Sequence, residues 1–175
     1  MRQRSLAAAI VGGLATVGVA AAPAQAATTV DPGHHDIVNV QCTNGSYQFL
    51  TTINGSSHPA ADLADFEFVY PGTSDAVSAT PQGWSVDAHD DANVPDVGFT
   101  YSASGTGCAS TITIDITHPD VQFGGQGQLT LPAGGHVHGV WTFDGPATPW
   151  DDYVGFDVDA GAAGAAYGEA RFVVG

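Results

Sequence analysis

From Ala27 onward, short apolar or alternating stretches are broken every few residues by Gly, Pro, Asn and Asp, and helical periodicity is hard to find. The pattern predicts strands over Ile37–Cys42, Ser46–Ile53, Phe66–Tyr70, Val97–Ser102, Ser110–Thr117, Gly127–Leu131, His136–Phe143, Tyr153–Val158 and Tyr167–Val174. Thr43-Asn44-Gly45 lies between the first two and reads as a hairpin turn. Asn54-Gly55-Ser56-Ser57-His58-Pro59 closes the second strand with strong turn chemistry. Only Pro59–Leu63 has helical character. Gly72–Asp96 reads as a long loop with one or two short strands, and Gly161–Ala166 as a flexible Gly/Ala turn. No internal repeat is visible. The expected fold is all-β: a single immunoglobulin-like antiparallel β-sandwich.

The first 26 residues follow a different rule. Arg2 and Arg4 precede an Ala/Gly/Val-rich apolar run, and Ala24-Gln25-Ala26 supplies a small-residue cleavage site, so residues 1–26 read as a secretory signal peptide. Cleavage leaves 149 of the 175 residues as the mature domain, residues 27–175. No second apolar run of membrane length follows, so no membrane insertion is expected after cleavage, and the product is expected to be secreted. The mature chain keeps one base, Arg171, against 18 acids, a net charge of −17. A basic groove for nucleic acid cannot be built from this composition, whereas cations are concentrated around it. Cys42 and Cys108 both fall in the exported part, where a disulfide persists. Free thiols serving as metal ligands are the alternative.

Candidate chemistry lies in the histidines. In Gly135-His136-Val137-His138-Gly139-Val140-Trp141-Thr142-Phe143 the two His are two apart and share one face of a strand. Trp141 and Phe143 have the opposite parity, so, unless a bulge at Gly139 shifts the register, the aromatics are expected to face the core and the imidazoles to face away from it. In Gly33-His34-His35-Asp36-Ile37, His34 and Asp36 share one face and His35 shares the other with Ile37. If the two segments meet, His34, Asp36, His136 and His138 form a four-ligand nitrogen/oxygen site suited to a divalent metal such as zinc. Otherwise they are solvated polar groups at strand ends. His58 and His118 precede prolines in turns, and His89 sits among acids. Asp87, Asp90 and Asp91 lack the glycine-punctuated, Glu-terminated spacing of an EF-hand and read as a solvated acidic loop.

Gly33-His34-His35-Asp36-Ile37, together with Leu131-Pro132-Ala133-Gly134-Gly135-His136-Val137-His138-Gly139-Val140-Trp141-Thr142-Phe143, resembles the opening "GHVDI" and closing "LPAGTHxHxxWxF" of the actinobacterial surface-anchored protein domain, the choice-of-anchor M domain family. The order and spacing of the two motifs also fit. The resemblance implies a secreted β-sandwich module, in some members encoded beside or fused to an ABC transporter substrate-binding protein of metal-importer type. Such a protein, or another cell-surface protein, is the implied partner. The family pattern falls on His34, Asp36, His136, His138, Trp141 and Phe143. Here His35 replaces the usual Val, the turn after Pro146 is longer and more acidic, and the ending Val173-Val174-Gly175 carries no sorting motif, as in a divergent stand-alone member.

Three functions follow as expectations. The first is a non-catalytic extracellular binding module that holds a divalent metal. The second is a structural or adhesive module that binds another surface protein or a glycan through Trp84, Trp150 and Tyr153. The third is a secreted metalloenzyme. Copper/zinc superoxide dismutase shares the sandwich, disulfide and H-x-H strand, but needs further His after the pair, and none follows His138. A polysaccharide monooxygenase needs His at the mature N-terminus, where Ala27 is expected. No G-x-S-x-G nucleophile motif occurs, and with Glu67 and Glu169 the only glutamates, no carboxylate pair stands out. No catalytic residues are assigned.

Overall fold

The computed structural model describes residues 26–89, 91–146, 149–161 and 165–175; the segment read as a signal peptide lies, but for Ala26, outside them. After a two-residue strand, β1 (Thr28–Thr29), two Asn-Gly pairs shape the first hairpins. β2 (Gly33–Thr43) turns through Asn44-Gly45 into β3 (Ser46–Ile53), and β3 turns through Asn54-Gly55 into β4 (Ser56–Pro59). All four turn residues have positive φ (49°, 79°, 50° and 74°), as in the two-residue turns whose twist matches that of paired strands. A 3₁₀ helix, Ala60–Asp65, follows where helical character was expected and buries Leu63.

Eleven further strands complete the element list: β5 (Phe66–Tyr70), β6 (Val77–Thr80), β7 (Gly83–Val86), β8 (Pro95–Ser104), β9 (Thr111–Ile116), β10 (Val121–Phe123), β11 (Gln128–Pro132), β12 (Gly135–His138), β13 (Trp141–Asp144), β14 (Trp150–Asp159) and β15 (Ala165–Val174). They form three sheets, with strand orders β1-β5-β15-β14-β9-β11, β12-β8-β2-β3-β4 and β10-β13-β7-β6. β6 and β7 are the short strands expected within Gly72–Asp96. β10 was not expected; three residues are too few to show a period.

Two expectations are corrected. The sheets are not purely antiparallel: β2 runs parallel to β8, and β5 runs parallel to both β1 and β15. The chain between β2 and β8, residues 44–94, makes other strands before it returns, and a long crossover can deliver a parallel neighbour where a hairpin cannot. The stretch His136–Phe143 is not one strand. It breaks at Gly139-Val140, so β12 pairs with β8 in one sheet while β13 pairs with β7 and β10 in another. Gly139 lies against Phe123, whose ring would be 3.2 Å from a Cβ at this position.

Side chains from all three sheets meet around Trp141. Its ring packs against Phe99 of β8, Phe123 of β10, and Phe156 and Phe172 of β14 and β15, with centroids 5.1–6.2 Å apart. The buried indole N–H donates to the Val97 carbonyl at 3.0 Å, so this side chain carries no orphan donor. Phe143 is buried beside it. As expected, the aromatics of the closing motif are core residues. Cys42 near the end of β2 and Cys108 in the loop after β8 form the disulfide, with an S–S distance of 2.08 Å.

Candidate metal centre

Three adjacent strands carry the site. β8 lies between β2 and β12, with His34 opposite Asp96, Asp36 opposite Gly98, Gly98 opposite His138, and Thr100 opposite His136. Period-2 alternation puts all seven positions on one face of this sheet. Immediately after Asp36 the register of β2 shifts against both neighbours, a bulge that ends the regular alternation beside the site. Ile37 and Val38 are both buried as a result.

The two histidine segments, 102 residues apart in sequence, meet. His34 Nε2 lies 3.1 Å from His136 Nε2, which lies 3.1 Å from His138 Nε2. Asp36 Oδ1 is 3.2 Å from the His136 nitrogen, 3.8 Å from that of His138 and 4.0 Å from that of His34. All four donor atoms fall within 4.8 Å of one another. A tetrahedral zinc ion with bonds near 2.0–2.1 Å needs its donors about 3.3 Å apart; the three spacings that involve His136 Nε2, 3.1–3.2 Å, lie close to this, and the wider ones, up to 4.8 Å, would have to contract around an ion. The convergence has a steric cause: Gly98 has no side chain, and a Cβ there would stand 2.5 Å from His138 Cδ2 and Nε2. The missing side chain lets the His138 ring fold over the central strand toward β2.

Exposure is graded across the cluster. The side chains of His34 and His136 are 53% and 47% exposed, whereas Asp36 is 14% and His138 6% exposed. His136 and His138 share the face away from the core, but His138 is the less exposed of the two because its ring lies over Gly98. Asp36 Oδ1 also accepts a 2.8 Å hydrogen bond from Thr100 Oγ1, which fixes the carboxylate. Burial pushes the Asp36 carboxyl upward, but His138, Thr100, His136 and His34 outweigh it and hold it below its ordinary value. Burial pulls the His138 imidazole down, and the Asp36 and Asp96 carboxylates more than reverse this, leaving it above the usual 6.5. His34 is lowered, first by desolvation and then by the neighbouring His138.

The sequence reading missed Asp96, Gly98 and Thr100. Their alternation, Asp-x-Gly-x-Thr, was visible as a pattern, but nothing in it signals that β8 separates the two histidine strands. His138 Nδ1 lies 2.8 Å from Asp96 Oδ1, although the ring N–H does not point along this contact and makes no regular hydrogen bond. Asp96 Oδ2 is 3.6 Å from His89 Nδ1. The Asp96 charge reaches Tyr70 as well, whose buried hydroxyl, without a hydrogen-bond partner, is pushed upward by desolvation and then by Asp96. An open groove of about 490 Å³, lined in part by His34, His89, Asp91 and Asp96, adjoins the cluster.

The remaining candidates have other roles. His35 is buried on the opposite face, where Nε2 bonds the Asp31 carbonyl at 2.8 Å and Nδ1 accepts from the Asn54 amide at 3.2 Å. Both ring nitrogens are satisfied structurally. His58 packs against Phe66, and His118 packs against Trp150 and approaches Asp152 at 3.5 Å. In the acidic loop, Asp91 accepts from Ser74 and Asn93; Asp90 lies outside the described residues. Trp84 and Trp150 pack against the core, and Tyr153, 46% exposed, is the large apolar side chain left on the surface among the described residues. No helix among the described residues is long and apolar enough to cross a membrane.

Set against protein-family profiles, characterised proteins and solved structures, the chain matches none of them.

Proposed function

We propose that this protein is a secreted, non-catalytic binding module of the bacterial cell surface that holds a divalent metal ion, zinc by its donor set, on His34, Asp36, His136 and His138. One observation carries the reading: three imidazole nitrogens and one carboxylate oxygen from segments 102 residues apart converge within 4.8 Å. Three nitrogens and one oxygen suit zinc better than calcium or magnesium, which prefer oxygen ligands. The charge of −17 favours cation capture, and the Cys42–Cys108 disulfide is compatible with an extracellular setting.

The packing of three sheets around Trp141 supports a sandwich of immunoglobulin-like type. The two motifs support membership of the choice-of-anchor M domain family, with a cell-surface protein or a transporter's substrate-binding protein as partner. The adhesive alternative rests on Tyr153, since Trp84 and Trp150 are engaged in packing.

Zinc titration of the mature domain at pH 7.5 and pH 5.5 tests the function. Binding of about one equivalent at the higher pH and its loss at the lower is expected, because zinc requires neutral imidazoles. The double variant His136→Ala, His138→Ala, with half the donors gone, is expected to lose binding at both. Equal affinity in the variant and the native protein would overturn the site.

A further inference from the structure

We propose that Asp96 is a positioning residue for this centre: it holds the proton of His138 on Nδ1, so that Nε2 presents its lone pair to the metal. The inference rests on the metal-binding reading for its consequence, but its geometry stands apart from it. Asp96 is not one of the four candidate ligands, and its carboxylate approaches the imidazole from the opposite edge.

The argument begins with His138, whose side chain is only 6% exposed. Its Nε2 faces His136 and Asp36, and its Nδ1 is buried with Asp96 Oδ1 2.8 Å away. A neutral imidazole carries one proton and can place it on either nitrogen. With the proton on Nε2, the ring has no lone pair to give a metal, and two acceptors, Nδ1 and the Asp96 oxygen, are left facing each other in a buried space. With the proton on Nδ1, both problems vanish. The 2.8 Å contact is a close approach of the two atoms rather than a regular hydrogen bond, and the Nδ1–H form is the one that gives the Asp96 oxygen a proton to accept.

Asp96 is well placed to hold its orientation. It sits in β8 opposite His34, its side chain is 14% exposed, and its second oxygen faces His89 from the groove side at 3.6 Å. Metal-ligating histidines generally give their other ring N–H to such a carboxylate or carbonyl, and loss of that partner costs 10–100-fold in affinity. His34 and His136 are half exposed, and among the described residues no carboxylate pairs with the second nitrogen of either. His138 is therefore the imidazole for which an internal carboxylate matters most.

Two measurements on the metal-free and zinc-titrated mature domain decide this. Nitrogen-15 NMR at pH 8 reads the tautomer of His138: Nδ1–H is expected in the native protein and in Asp96→Asn, which keeps an acceptor oxygen. A mixture with the Nε2–H form is expected in Asp96→Ala. Zinc affinity is expected to fall 10–100-fold in Asp96→Ala and by less in Asp96→Asn. The Trp141 indole N–H signal, which reports the bond to Val97 in the same strand, shows whether β8 is intact in each variant. A folded Asp96→Ala that keeps the native tautomer and native affinity overturns the role of Asp96. Absence of zinc binding in the native protein overturns the metal reading instead, while the tautomer still decides what Asp96 does.

Discussion

Gly98 has no side chain, and that space is occupied by the ring of His138. Gly98→Ala is therefore expected to abolish zinc binding, because its Cβ would stand 2.5 Å from His138 Nε2 and would also press on the Val137 carbonyl. Overpacking of this kind costs about 1–3 kcal/mol, so urea denaturation together with zinc titration checks both effects. The ionisation of the ligands sets how binding depends on pH. His138 holds its proton above the usual 6.5, so competition from protons begins above that pH and strengthens as pH falls; His34, which is lowered, competes only below 6.5. Zinc affinity is thus expected to decline from above pH 6.5 downward, and a flat affinity down to pH 6 contradicts this assignment. Period-2 alternation was enough to single out His34, Asp36, His136 and His138 in the sequence. Gly98, Asp96 and Thr100 were not legible, because their roles depend on which strand lies between the pairs.

Among the elements, the closing segment departs most from its sequence pattern. The strand pattern predicts one strand from His136 to Phe143, and the parity of Trp141 and Phe143 assigns them to the core, where both are buried. Gly139 marks a place where a bulge could shift the register, but a single glycine is compatible with both a continuous strand and a change of sheet, so the change of sheet itself was not legible. The break has a use: β12 delivers two imidazoles to the His/Asp cluster, while β13 plants Trp141 at the meeting of the sheets. Trp141→Ala is expected to cost about 3–5 kcal/mol, from lost packing and the cavity left behind. Trp141→Phe, which keeps most of the ring but leaves the Val97 carbonyl without its donor, is expected to cost less. Chemical denaturation of both variants ranks the two effects; equal stability of Trp141→Ala and the native protein would remove Trp141 from its central place. The Asn44-Gly45 hairpin, by contrast, was legible from local chemistry alone, since its backbone conformation suits those residues.

Across the whole molecule, two covalent and ionic ties join distant parts of the chain. The disulfide joins Cys42 to Cys108 across a sequence separation of 66, and its removal is expected to destabilise the fold by about 4 kcal/mol on the chain-entropy account. That corresponds to a drop in Tm of roughly 10 °C for a domain of this size, checked by thermal unfolding with and without reductant. Arg171, the one basic residue after position 26, bonds Asp151 twice, at 2.8 and 2.7 Å, and Glu67 at 3.0 Å, tying β15 to both its neighbours. By itself the sequence determined the β class, the first hairpin, the cysteine pair and the shared face within each histidine pair. These follow from turn chemistry, from having two cysteines and from the alternation of side chains along a strand, all properties of short segments or of counting. Only the tertiary structure decided that β2 runs parallel to β8, that β12 and β13 belong to different sheets, and that His138 is buried over Gly98. Such outcomes depend on which strands become neighbours, and long-range pairing is set by the packing of the whole core around Trp141 rather than by any one segment.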